Sequence, residues 1–129
     1  CRKHQPFLYH LFELAREGKP VKVFGSRDAT RNLVSINDVV RAVDIVISNA
    51  PEGIFECSHP QSCTLTELIK EIFALYKIQP AIYFDGAMED LADVRSGLFP
   101  SIFDSFGASR PTPLTKGLQE IQDSWASHD

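Results

Sequence analysis

The chain has 129 residues, 43% of them apolar and nine of them phenylalanine. That is enough for one domain with a modest core, and too apolar for disorder by composition. The formal charge of −4 argues against nucleic acid, because phosphate neutralisation needs a basic face. No apolar run has the length of a membrane span and no signal-peptide pattern is present, so a cytoplasmic protein is expected, with no membrane and no nucleic-acid partner.

Residues 7–19, FLYHLFELAREGK, read as a helix, with Leu8, Leu11 and Ala15 at helical spacing. Gly18 and Pro20 mark its end. VKVF at 21–24 alternates as a strand does, and Gly25 breaks it. After a polar connection, NLVSI at 32–36 reads as a second strand. Asn37 is a suitable cap, and Asp38 suits the positive end of the helix that follows. That helix, 38–49, is apolar over two-thirds of its circumference, which predicts burial on most sides, between a sheet and another helix.

GIFEC at 53–57 reads as a short strand and SHPQSC at 58–63 as a loop. Thr64 and Glu67 form a capping box opening a helix that runs to about Lys77. AIYF at 81–84 is another strand, 85–97 is acidic and irregular, and 98–107 holds a short apolar helix or turn. SRPTP at 109–113 is a linker into a last helix whose face carries Leu118, Ile121 and Trp125. Alternating strands and helices predict an α/β layered fold whose sheet is small or is completed by further residues.

The chain opens at Cys1, without methionine and on polar residues, which reads as an internal start. Its three cysteines form no CxxC pair and are expected to be reduced, buried thiols. Cys57, His59 and Cys63 are three potential metal ligands, but their spacing matches no standard zinc site, so no metal is assigned. His4, His10 and His128 are read as surface groups.

No two of the seven glycines lie two apart, so the chain has no GxGxxG loop. It also lacks GxxxxGK[ST], GxSxG, HExxH and a tyrosine followed by lysine four positions on. No catalytic, cofactor-binding or metal residue is therefore assigned. The informative stretch is 21–43: strand, charged loop, strand, helix, with Arg31 at the mouth of the second strand. A guanidinium there can fork onto a phosphate or carboxylate. The plainer reading pairs it with Asp28 or Asp38, or leaves it solvated.

These pieces resemble the C-terminal part of the NAD(P)-dependent epimerase/dehydratase family, the extended short-chain dehydrogenase/reductases. The resemblance rests on Val23-Phe24-Gly25, on Arg31 to Asp38, on Gly53 to Ser58, on Thr64 to Leu68, and on Pro111 to Leu114 with Lys116-Gly117-Leu118 and Trp125. It covers nearly the whole chain. It implies a single substrate-binding domain, 1–129, whose Rossmann half is missing. That N-terminal half would bind NAD or NADP and carry the proton-transfer groups. The parent would be an isomerase, lyase or oxidoreductase acting on a nucleotide sugar.

By the same resemblance, Arg31 contacts the diphosphate, and the backbone of Val21 to Val23 lies beside the base or ribose. Asp90 stands where a later Arg-x-Gly-Asp motif ends, which makes it a further candidate substrate contact. Homo-oligomers of the family form mainly through helices of the missing half. A chain of this kind is expected to expose an apolar patch where that half docks. Departures are Arg27, Asn32 and Glu56, where the family has Gly, Asp and Asn, and Ala87, where it has a second phosphate arginine. The acidic run Glu89, Asp90, Asp93 would repel a diphosphate unless it points away. A binding or assembly domain without catalysis is the alternative function, and an unrelated small α/β domain is a third.

Overall fold

The computed structural model describes residues 6–94 and 96–126. Cys1, His4, Arg95 and His128 lie outside them. Five helices and four short strands follow in order: α1 (Pro6–Glu17), β1 (Val21–Phe24), β2 (Thr30–Arg31), α2 (Ile36–Asn49), β3 (Cys63–Thr64), α3 (Leu65–Leu75), β4 (Ile82–Asp85), α4 (Ile102–Ser105) and α5 (Leu114–Ala126). β1 and β4 pair in parallel, with Val21 opposite Ile82 and Phe24 opposite Asp85. β2 and β3 form a two-residue antiparallel ladder that sets Arg31 opposite Cys63.

The main core lies where α1, α3 and α5 meet the inner face of β1. Leu11, Phe12 and Ala15 of α1 meet Leu68, Ile69, Ile72 and Phe73 of α3, Leu118 of α5, and Val21 and Val23 of β1. Trp125 packs edge-on against Phe12 at 4.8 Å between ring centroids and tilts over Tyr9 at 4.9 Å. This arrangement follows from sequence spacing. α3 buries Leu65, Leu68, Ile69, Ile72 and Phe73, a stripe at helical period. Its start is held by the Thr64–Glu67 capping box, with each side chain accepting from the other residue's amide. Gly18, at φ +63°, ends α1 in the left-handed conformation that costs glycine nothing.

Several expectations are corrected. First, 32–36 is not a strand. The ladder stops at Arg31, because the Asn32 side chain turns to the 59–62 loop: its Oδ1 accepts from the His59 amide, and its Nδ2 donates to the His59 carbonyl and Ser62 Oγ. Second, the cap of α2 is Ser35 rather than Asn37, with Ser35 Oγ accepting from the Asp38 amide. Strand 53–57 likewise shrinks to one parallel bridge, Glu56 with Ser101.

Third, α2 is not buried on most sides. Among its described residues only Asp38 and Ala42 are buried, and Ala42 joins a small second cluster with Ile102 and Phe103 of α4. Val40 and Val43 are each about half exposed (53% and 51%), and Ile36 and Ile47 are 73% and 74% exposed. The helix has the apolar circumference of a buried element, but among the described residues it meets only α4 and its surroundings and the 109–112 segment. The fold therefore carries an apolar patch of the kind expected where a second body docks.

Asp38 is the exception to this exposed face. It is 1% exposed, and it accepts from the Thr112 amide at 2.7 Å, the Thr112 hydroxyl at 3.2 Å and Arg41 Nη2 at 2.8 Å. Arg41 also donates to the carbonyls of Ser109 and Arg110 and lies over the Phe103 ring. Burial raises the Asp38 pKa, but the bonds from the Thr112 amide, Arg41 and the two hydroxyls outweigh it and hold the carboxyl below its usual range. A carboxylate lowered in this way stabilises the fold above its unfolded pKa, and the contribution is lost as pH falls through the folded value. Asp38→Asn should therefore lower stability by about 2 kcal/mol at neutral pH. The gap between variant and parent should close on acidification, as read by urea denaturation at several pH values. An unchanged gap down to strongly acidic pH would show that the charge on Asp38 is immaterial.

Candidate functional site

The site is built on the connection between β1 and β2. At the end of β1, Gly25 takes φ +89°. A Cβ there would lie 2.5 Å from Asp90 Oδ1 and 2.6 Å from Asp90 Cα, so only glycine lets the two segments approach. Asp90 Oδ1 accepts from the Ser26 amide at 2.6 Å, the Ser26 hydroxyl and the Arg27 amide. These donors, the Ser26 amide foremost, outweigh its partial burial and hold the carboxyl below the usual range. Three residues on, Asp93 accepts from the Thr30 amide at 2.8 Å and pairs with Arg27 at 2.8 Å. The acidic run is thus not a solvated loop. Two of its carboxylates cap the turn that carries Arg31.

Arg31 lies between β2 and this returning segment. Its Nη1 donates to the carbonyls of Thr30 at 2.8 Å and Ala92 at 2.6 Å. The Val94 amide donates back to the Thr30 carbonyl. The guanidinium is half-buried and fixed by backbone, and no carboxylate among the described residues neutralises it. Asp28 instead accepts from the Thr66 amide, and Asp38 takes Arg41, so neither pairs with Arg31. A positioned, uncompensated cation with donors to spare is suited to an anionic group.

The other candidates fall as follows. Val21 and Val23 bury their side chains in the main core, at 2% and 5% exposure, and offer only backbone to a ligand. β1 is paired on one edge by β4, and its other edge carries no strand among the described residues. Asp90 is committed to the Ser26 and Arg27 amides. Its placement is beside the Arg31 loop, with its carboxylate turned into the protein's own backbone.

Glu56, at one of the departures from the family pattern, is a brace that sequence reasoning missed. It accepts from three successive amides, Gly97 at 2.7 Å, Leu98 at 2.8 Å and Phe99 at 3.3 Å, and from the Ser58 hydroxyl. The Gly97 amide is the main reason its carboxyl sits below the usual range despite some desolvation. Asn32 was likewise legible only as a departure. An amide in place of a carboxylate supplies both a donor and an acceptor, and both are used on His59. The expected burial of the cysteines is corrected, since Cys57 is exposed and Cys63 only half-buried, both as free thiols. Partial desolvation, first of all, still raises both thiols, so neither is an activated nucleophile. Among the described residues no three His, Cys, Asp or Glu side chains converge to hold a metal ion, and none of the helices is long and apolar enough to cross a membrane. His10 is exposed.

The residues present do not fit a dinucleotide. Of the glycine turns that follow strands among the described residues, the one after β1 leads into β2 rather than a helix, and the Ser26 and Arg27 amides there already hold the Asp90 carboxylate. The one at Gly86 after β4 is followed by no helix before Ile102.

The fold formed by the parallel pair β1–β4 backed by α1 and α3 matches part of several solved structures, some of them determined with nucleotide sugars and NAD bound. No family model matches the chain. A dTDP-L-rhamnose 4-epimerase of Burkholderia thailandensis is 28% identical over 120 residues, which are 90% of this chain and 32% of that protein. Among solved structures, RMD from Pseudomonas aeruginosa complexed with NADPH superposes with a TM-score of 0.74 at 18% identity, over 98% of this chain and 45% of that one. MoeE5 in complex with UDP-glucose and NAD gives 0.73 at 20% identity, over 95% and 42%. UDP-glucuronic acid 4-epimerase from Bacillus cereus, with UDP-glucuronic acid and NAD, gives 0.68 at 15%, over 95% and 40%. The resemblance to the epimerase/dehydratase family is borne out in fold. The chain spans about a third of the length of the curated relative and less than half of each of these solved chains.

Gly25→Ala tests the bracing of this loop. Its added Cβ meets Asp90 backbone, and its φ is unfavourable for an L side chain, so a loss of roughly 1–3 kcal/mol is expected. Amide exchange at Ser26 and Arg27 should rise with it. A variant as stable as the parent, with those amides still protected, would show that the loop does not depend on the close approach.

Proposed function

We propose that this chain is the substrate-recognition part of an NAD(P)-dependent nucleotide-sugar epimerase or dehydratase, and that it is not catalytic alone. The carrying observation is Arg31, a guanidinium fixed by the Thr30 and Ala92 carbonyls and left without a carboxylate. In this reading Arg31 grips an anionic part of the substrate, as a diphosphate, and the unpaired edge of β1 presents Val21 to Val23 backbone to the nucleoside. The cofactor, NAD or NADP, is held by a Rossmann portion, and hydride transfer to and from it is chemistry of that portion. The chain's own task is to bind and orient. The exposed valine and isoleucine face of α2 is where the Rossmann portion docks. The nucleotide sugars and cofactors bound by the solved relatives support this reading.

Charge-assisted hydrogen bonds contribute about 1.5–3 kcal/mol each. Losing one would weaken binding roughly 10- to 100-fold. Arg31→Ala in the intact protein should therefore raise KM for a nucleotide sugar by that factor. Arg31→Lys should recover part of it, because the charge remains while the fork is lost. Thermal-shift measurements with NAD, NADP and a panel of nucleoside diphosphate sugars identify the substrate class, since a ligand of the native state raises its melting temperature. Kinetics unchanged by Arg31→Ala would sink the role assigned to it.

A second reading, a binding or assembly domain without catalysis, is favoured by one observation. Asp90 and Asp93 place two carboxylates on the loop that carries Arg31. It predicts a well-folded intact protein whose melting temperature no cofactor or nucleotide sugar moves.

A further inference from the structure

A cleft of about 1060 Å³ opens between the 58–63 loop, the start of α3, the 96–101 segment and the start of α5. Arg31, Val21 and Val23 are not part of its wall. His59 lines it while being only 9% exposed. Its Nδ1 is taken by the neighbouring Gln61, whose amide is 3.0 Å away and whose carbonyl is 2.9 Å away. Its Nε2 has no partner among the described residues, and it is not sealed from solvent, since no buried side-chain nitrogen or oxygen there lacks a partner. His59, nine-tenths buried, thus keeps one ring nitrogen without a partner among the described residues at a position that lines the cleft.

The rest of the lining narrows the ligand. Glu71 on α3, Asp104 on α4 and the Arg110 side chain all line the cleft, and none has a side-chain partner among the described residues. Four acidic residues (Glu56, Glu67, Glu71, Asp104) and one arginine line the cleft, two of the carboxylates already bonded to backbone amides, so a phosphate or a nucleotide is disfavoured. An amine would serve the carboxylates but leave Arg110 without an acceptor. A hydroxyl both donates and accepts, so it satisfies carboxylate, guanidinium and either tautomer of His59. The Phe99 ring, 47% exposed, adds an apolar platform for the C–H face of a ring. No three of the His, Cys, Asp and Glu side chains here are placed to hold a metal.

We infer that this cleft is a binding site for a neutral saccharide ring, held by Glu71, Asp104, Arg110 and His59 over Phe99. The site is independent of the Arg31 reading and needs neither nucleotide nor cofactor. It is tested by saturation-transfer NMR of the intact protein with the methyl α-glycosides of glucose, galactose, mannose and rhamnose, and with inorganic phosphate as the anionic probe. At least one glycoside should bind, with its ring protons receiving most saturation. Affinity should drop about tenfold in Glu71→Gln and in Phe99→Ala. Both residues are away from the main core, and unchanged backbone amide spectra confirm that the variants fold. Binding of no glycoside, equal binding by both variants, or preference for phosphate would each overturn the proposal.

Discussion

The buried Asp38 carboxylate is the interaction on which the arrangement of α2 depends. One side chain closes the first turn of α2, neutralises Arg41 and holds the Thr112 amide at the entrance to α5. Without it α2 would rest on the small cluster around Ala42, Ile102 and Phe103 and on the Arg41 bonds to the Ser109 and Arg110 carbonyls. A charge this deep is tolerated because each lone pair finds a donor. The cost of burying it is met locally, and the result is a fixed angle between an exposed apolar helix and the domain.

A second constraint acts at the opposite end of the fold. The 90–94 segment returns across the β1–β2 connection and supplies carboxylates to its amides and a carbonyl to Arg31. Every one of these bonds joins residues more than 60 positions apart, as does the close approach of Gly25 to Asp90. The loop is therefore built before any ligand arrives. Such preorganisation suits the anion-binding role proposed for Arg31, because little side-chain entropy is left to lose on binding.

These two braces leave two kinds of surface. One is apolar and lies on α2. The other is polar and concave, and gathers groups whose hydrogen-bonding capacity the protein does not use itself. A chain that covers less than half of its solved relatives would present both. The first is the face proposed to meet a Rossmann portion, and the second is the cleft proposed to take a saccharide.

The residue order alone determined what depends on near neighbours. The α1 stop at Gly18, the β1 strand, the Thr64–Glu67 box, the apolar stripe of α3 and the α5 face with Trp125 were all legible, because caps and periodicity act within a few positions. The order of motifs was enough for the fold, and Arg31 was legible as the candidate cation. What only the tertiary structure decided lies between distant residues. Asn32 leaves the expected strand to hold His59, Glu56 finds amides some 40 positions away, and Asp90 turns into backbone rather than toward a ligand. The burial of α2 was misjudged for the same reason. Periodicity shows that a helix has an apolar face, but whether anything covers that face is a property of the assembled fold.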